Sequence, residues 1–131
     1  MKRSRPVVLI SDDEPTLVSA LAREARRVGM DPVCDTTSDV VSLARQHQPD
    51  VILLYMLQRI DGRDLLQDLK RDPETCGLKV IVLSGVEDQF TRRVCLELGA
   101  DDYEVKPIGP VFLHRVARLV ASGFTEPSTT A

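Results

Sequence analysis

Apolar positions along this chain alternate between two patterns. Short continuous runs occupy residues 7–10, 51–54 and 80–83, as expected of strands buried on both faces. Between them, apolar residues recur at helical spacing. Leu17, Leu21, Ala25 and Val28 form one stripe, with Pro15 near its first turn and Gly29 as a natural stop. Val40, Val41, Leu43 and Ala44 follow Ser38 and Asp39, either of which can cap a helix. Leu65, Leu66 and Leu69 mark a shorter helix that ends near Asp72-Pro73. Phe90, Val94, Cys95 and Leu98 predict a helix stopping at Gly99. Leu113, Val116, Ala117 and Val120 predict a last one over 111–120. Segments 32–34 and 103–105 are weaker candidates for the second and fifth strands. A βα unit repeated in this way predicts a five-stranded parallel sheet (β-α five times in sequence) with helices on both faces. The fully apolar first, third and fourth strands belong in the middle, which gives the order 2-1-3-4-5.

Composition narrows the class. The chain has 131 residues, 43% hydrophobic and 28% charged, which suits one domain with its own core. A net charge of −3 argues against bulk nucleic-acid binding. Its basic clusters are interleaved with acids and read as solvated helix faces. Cys34, Cys76 and Cys95 have no CxxC spacing, which fits reduced thiols in a cytoplasmic setting. No apolar run approaches the ~20 residues that a membrane-spanning helix needs. Segment 122–131 is small, polar and Pro-containing, and is expected to be a disordered tail beyond a domain at 6–121.

Parallel sheets of this kind place ligands beyond the carboxyl ends of the strands, where strand order reverses. That rule selects Asp12 and Asp13 after the first strand, Tyr55 after the third, Ser84 after the fourth and Lys106 after the fifth. Taken singly, each has a bland explanation as a helix cap, an ion-pair partner or a turn. Together, the segments Leu9-Ile10-Ser11-Asp12-Asp13-Glu14-Pro15, Pro49-Asp50-Val51-Ile52-Leu53-Leu54, Asp61-Gly62, Val80-Ile81-Val82-Leu83-Ser84-Gly85 and Gly99-Ala100-Asp101-Asp102-Tyr103-Glu104-Val105-Lys106-Pro107 resemble bacterial response-regulator receiver domains. The resemblance covers about residues 6–121 and implies a flavodoxin-like, CheY-like fold in a two-component phosphorelay. It also implies that Asp12 and Asp13 hold Mg2+, that Lys106 contacts the phosphoryl group, and that Ser84 and Tyr103 form the switch. A cis peptide suits Lys106-Pro107.

At one position the resemblance fails. The family's phospho-acceptor aspartate should lie six residues after Pro49, and Tyr55 stands there. Counting back from Asp61-Gly62 gives Leu54 instead, so neither register supplies a carboxylate. A phenol is neutral at pH 7 and a poor Mg2+ ligand. Only weak Mg2+ binding is therefore expected. The leading expectation is a non-enzymatic receiver-like module acting through protein contacts. Its partner would be a signalling protein, a sensor kinase or a second copy, met on the face of the fourth helix, fifth strand and fifth helix. On that face Arg92, Arg93 and Arg115 would supply charge, with Tyr103 as an aromatic anchor. Nucleic acid and membrane are not expected partners. Two alternatives stand beside it. One keeps the switch alive through phosphorylation of another group, such as Asp12, Asp13 or Tyr55. The other is a Mg2+-dependent phosphohydrolase resembling the haloacid dehalogenases, which lacks their second aspartate here.

Overall fold

A computed structural model describes residues 5–85 and 87–125. Elements alternate as β1 (Val7–Ser11), α1 (Pro15–Arg27), β2 (Asp31–Asp35), α2 (Val40–His47), β3 (Val51–Tyr55), α3 (Gly62–Arg71), β4 (Val80–Ser84), α4 (Gln89–Glu97), β5 (Asp102–Val105) and α5 (Phe112–Ala121). The strands are all parallel in the order β2-β1-β3-β4-β5. This is the flavodoxin-like α/β architecture that the pattern of apolar runs predicts. β1, β3 and β4 are central, and from Val8, Val51 and Val80 onward their residues are buried, apart from Tyr55 at the end of β3.

Side chains alternate between two cores, as strand geometry requires. Val8, Ile10, Leu53, Ile81 and Leu83 face α1 and α5, where they meet Leu21, Ala25, Leu113 and Val116. Leu9, Ile52, Leu54, Val80 and Val82 face the other way, toward Val40, Leu66, Leu69 and Cys95. β2 is an edge strand of mixed polarity, which explains its weak signal. Pro32 lies in it, and since Asp31 N–H bonds inward to the Pro6 carbonyl, the missing Pro32 N–H falls on the open edge.

Two expectations change in detail. In α4 only Cys95 is buried, with Leu98 packed against the same core, while Phe90 is 70% exposed and leaves the stripe. In α5 the inward residues are Phe112, Leu113, Val116 and Leu119, with Ala117 and Val120 only partly covered. The expected tail spans 122–131. Residues 122–125 form a turn in which Phe124 N–H bonds to the Leu119 carbonyl and its ring packs on the core. Residues 126–131 of that expectation lie outside the described residues. Among the described residues, no helix is long and apolar enough to cross a membrane.

Candidate functional site

Asp12, Tyr55, Ser84 and Lys106 come together because parallel strands end on the same side of the sheet. Asp12 follows β1 and is fully buried. Its Oδ1 accepts the Glu14 N–H at 3.0 Å, which shapes the turn into α1. Its Oδ2 lies 2.7 Å from Lys106 Nζ. Lys106 follows β5, with 15% of its side chain exposed, and is joined to Pro107 by a cis peptide bond. The expected role of Lys106 as internal partner of the acidic pair is thus realised with Asp12. Asp13 is exposed at the mouth.

Tyr55 ends β3 and settles the ambiguity of register. Leu54 is fully buried in the core beneath α2 and α3, whereas Tyr55 points toward the pocket. Its ring lies under Lys106, with Nζ 3.2 Å from the ring centroid. The phenol meets the lysine through its face. The hydroxyl extends toward the β4–α4 turn, 4.0 Å from where a Cβ on Gly85 would sit. Burial raises the Tyr55 pKa, and the charges of Asp12, Asp13 and Glu14 raise it further. The phenol is therefore neutral at pH 7.

Ser84 is buried at the end of β4, where its carbonyl accepts the Lys106 N–H at 2.7 Å. The loop from β3 to α3 turns back sharply: Gly62 N–H bonds to the Met56 carbonyl at 2.7 Å. A Cβ on Gly62 would lie 2.6 Å from Met56 Cα, so only glycine fits. Asp61 caps α3 by accepting the Arg63 N–H at 2.9 Å. Hydrogen bonding from the Arg63 side chain, and then from its N–H, holds the Asp61 carboxyl below its ordinary pKa.

Sequence reasoning gave no role to Gln58, Ser11 and Asp35, and offered Ser38 only as a helix cap, a position that Asp39 takes. Ser11 Oγ donates to the buried Asp35 at 2.9 Å, and Gln58 joins Ser11 to Ser38. A hint was available in Ser11, a polar residue ending an apolar strand. The partners of Gln58 lie too far along the chain for any local pattern to show them.

The surface of α4, β5 and α5 also differs from expectation. Tyr103 is only 1% exposed and packs in the core with Leu66 and Cys95, so it is not an exposed anchor. Its ring sits under Arg92, whose guanidinium carbon is 5.4 Å from the centroid. Arg92 also reaches the Tyr103 carbonyl at 3.4 Å, while Tyr103 N–H bonds to Asp102 Oδ1 at 2.8 Å. Arg115 is not a free surface cation either. It pairs with Asp102 at 2.8 Å and Glu104 at 2.6 Å, and its side chain is 14% exposed. Arg93 is exposed. Beside it a cleft of about 380 Å³ is lined by Glu87, Asp88, Arg92, Arg93, Leu96 and Tyr103.

A family model for the response regulator receiver domain matches residues 8–118. This chain belongs to that family, the receiver domains of two-component signalling. Among curated relatives it is 34% identical over 123 residues to the DNA-binding response regulator MtrA of Mycolicibacterium smegmatis, covering 92% of this chain and 52% of that protein. To the alkaline phosphatase synthesis transcriptional regulatory protein PhoP of Bacillus subtilis it is 33% identical, covering 79% of this chain and 43% of that protein. The chain thus spans about half the length of the curated relatives it matches. Among solved structures, the BeF3-activated receiver domain of Klebsiella pneumoniae RstA superposes with a TM-score of 0.76 at 26% identity, covering 86% of this chain and 96% of that one. The chemotaxis response regulator CheY4 of Vibrio cholerae shares the fold with a TM-score of 0.82 at 16% identity, covering 89% of this chain and 99% of that one.

Receiver domains typically bind Mg2+ beside their acidic pair. The residues here do not fit that ion well. One Asp12 oxygen is taken by Lys106 and the other by a backbone N–H, and the end of β3 supplies a neutral phenol where a third anionic oxygen would help. Among the described residues, no three His, Cys, Asp or Glu side chains converge as a metal site.

Proposed function

We propose that this domain is a receiver in which Tyr55 occupies the acceptor position. It takes up no phosphoryl group there, is not an enzyme, and acts through protein contacts. One observation carries this: Lys106, the cation that would meet an incoming phosphoryl group, is held between the Asp12 carboxylate and the Tyr55 ring. The pocket is filled and charge-balanced by its own side chains. A carboxylate attacks phosphorus as an anion and forms a reactive acyl phosphate. A neutral phenol first needs a base, and burial among carboxylates holds on to its proton.

The α4–β5–α5 surface is the proposed contact face, for a signalling protein, a sensor kinase or a second copy. Support comes from the exposed Leu96 and Arg93 that line the cleft between α4 and β5. Such a mixture of apolar and charged groups favours register and partner choice. Some relatives are named for DNA binding or transcriptional regulation. The matched span is about half of those proteins, and the net charge of −3 does not favour phosphate-backbone contact by this chain. Direct contact is therefore assigned to protein.

The test is intact mass after incubation with acetyl phosphate and Mg2+, on wild type and Tyr55→Asp. Wild type is expected to stay at its own mass. A stoichiometric, base-labile phosphoryl adduct on wild type would sink the proposal.

A further inference from the structure

The loop after β3 is tied down by a side chain that the pocket chemistry leaves unused. Gln58 is half-buried, with its carboxamide turned toward the ends of the strands. Its Nε2 donates to the main-chain carbonyl of Tyr55 at 2.7 Å and to that of Ser11 at 3.2 Å. Its Oε1 accepts from Ser38 Oγ at 2.9 Å and lies 3.2 Å from Ser11 Oγ. Ser38, itself held at a φ of 60°, also accepts the Ile60 N–H on its Oγ at 3.4 Å. The next layer is equally polar. Asp35 receives Ser11 Oγ on one oxygen and the N–H groups of Thr37 and Asp39 on the other.

One amide therefore joins the ends of β1 and β3 to the turn before α2. Its two donors go to the main-chain carbonyls of Tyr55 and Ser11. Removing the amide takes a partner from several partly buried polar groups at once, and that is costly.

We propose that Gln58 is a latch. It fixes the loop from Met56 to Gly62 and, through the Tyr55 carbonyl, holds the Tyr55 ring beneath Lys106. The pocket then keeps its filled form with no ligand bound. This deepens the reading of Tyr55 given above and rests on it for its functional meaning. The latch itself is a statement about loop motion and can fail separately.

The test uses the full chain, labelled with 15N and with 13C on the tyrosine rings. Gln58→Ala is expected to speed hydrogen exchange at the Ile60 and Gly62 amides about tenfold or more. It should move the ring resonances of Tyr55 and leave those of Tyr103 in place. Amides of β4 should exchange as in wild type. Gln58→Glu keeps the size but has no N–H to give the two carbonyls, so it should loosen the loop as well. A merely space-filling role predicts wild-type exchange for Gln58→Glu. Unchanged exchange at Ile60 and Gly62 in both variants, or an unmoved Tyr55 ring, overturns the latch. If Gln58→Ala does not fold, Ser38→Ala removes one latch bond. Because Ile60 loses its own acceptor in that variant, the readout is Gly62: a faster Gly62 amide supports the proposal, and an unchanged one refutes it. Phosphoryl uptake by wild type would defeat the reading of Tyr55 while leaving these exchange results intact, so the two failures are distinguishable.

Discussion

Replacing Lys106 by methionine removes a charge while keeping most of the apolar stem. The partner left behind is Asp12, which is 0% exposed and loses a contact of 2.7 Å. Removing one member of a buried ion pair costs about 3–5 kcal/mol, because the surviving charge stays desolvated. Asp12 keeps the Glu14 N–H, which draws the cost toward the lower end. Loss of the ammonium above the Tyr55 ring adds up to about 1 kcal/mol. The expected destabilisation is therefore roughly 3–4 kcal/mol. The double variant Asp12→Asn/Lys106→Met leaves no buried charge and should recover roughly half of that loss. Urea denaturation reads the difference directly: with slopes of about 1–3 kcal/mol per molar, the midpoint of Lys106→Met should fall by at least about 1 M at unchanged slope. Lys106→Met lying within about 0.5 kcal/mol of wild type would refute the reasoning, since that is the range of ordinary surface substitutions. So would a double variant no more stable than Lys106→Met alone.

Tyr103→Ala should cost roughly 3–5 kcal/mol in thermal or chemical unfolding, because it empties a core site. Arg93→Glu should leave stability within about 0.5 kcal/mol of wild type while changing association, measured by sedimentation or partner binding. Gly62→Ala should destabilise by about 1–3 kcal/mol as the loop shifts to relieve the contact with Met56, again read by unfolding. Tyr55 should make wild type sensitive to alkali. Its folded pKa is raised above the ordinary 10.0, so the folded state holds the proton more tightly. That contribution is complete below pH 10.0 and is lost as pH rises through the folded value. Tyr55→Phe should lack this alkaline loss, so unfolding curves that fall in parallel for both proteins would count against it.

The sheet was legible because three central strands are uniform apolar runs, and nothing else in the chain competes for the middle of a parallel sheet. The pocket residues followed from strand ends alone. What stayed hidden depended on orientation and on distant contacts. Whether Leu54 or Tyr55 faces the pocket is a matter of strand phase, and two anchors for counting disagreed. Tyr103 lies in a four-residue edge strand, too short for alternation to say which side turns inward. Arg115 looked like a surface cation because its acceptors, Asp102 and Glu104, are on another element. Gln58 bonds to Ser11 across 47 positions of sequence, and nothing in its neighbourhood announces that.

The two rims of the sheet are closed by different means. At β2 the outward position of Pro32 has no N–H to offer a new strand. At β5 the outward N–H and carbonyl of Tyr103 are engaged by Asp102 and Arg92. Growth by strand addition is thus discouraged on either side. A domain with both rims blunted in this way can meet another protein without templating a fibre.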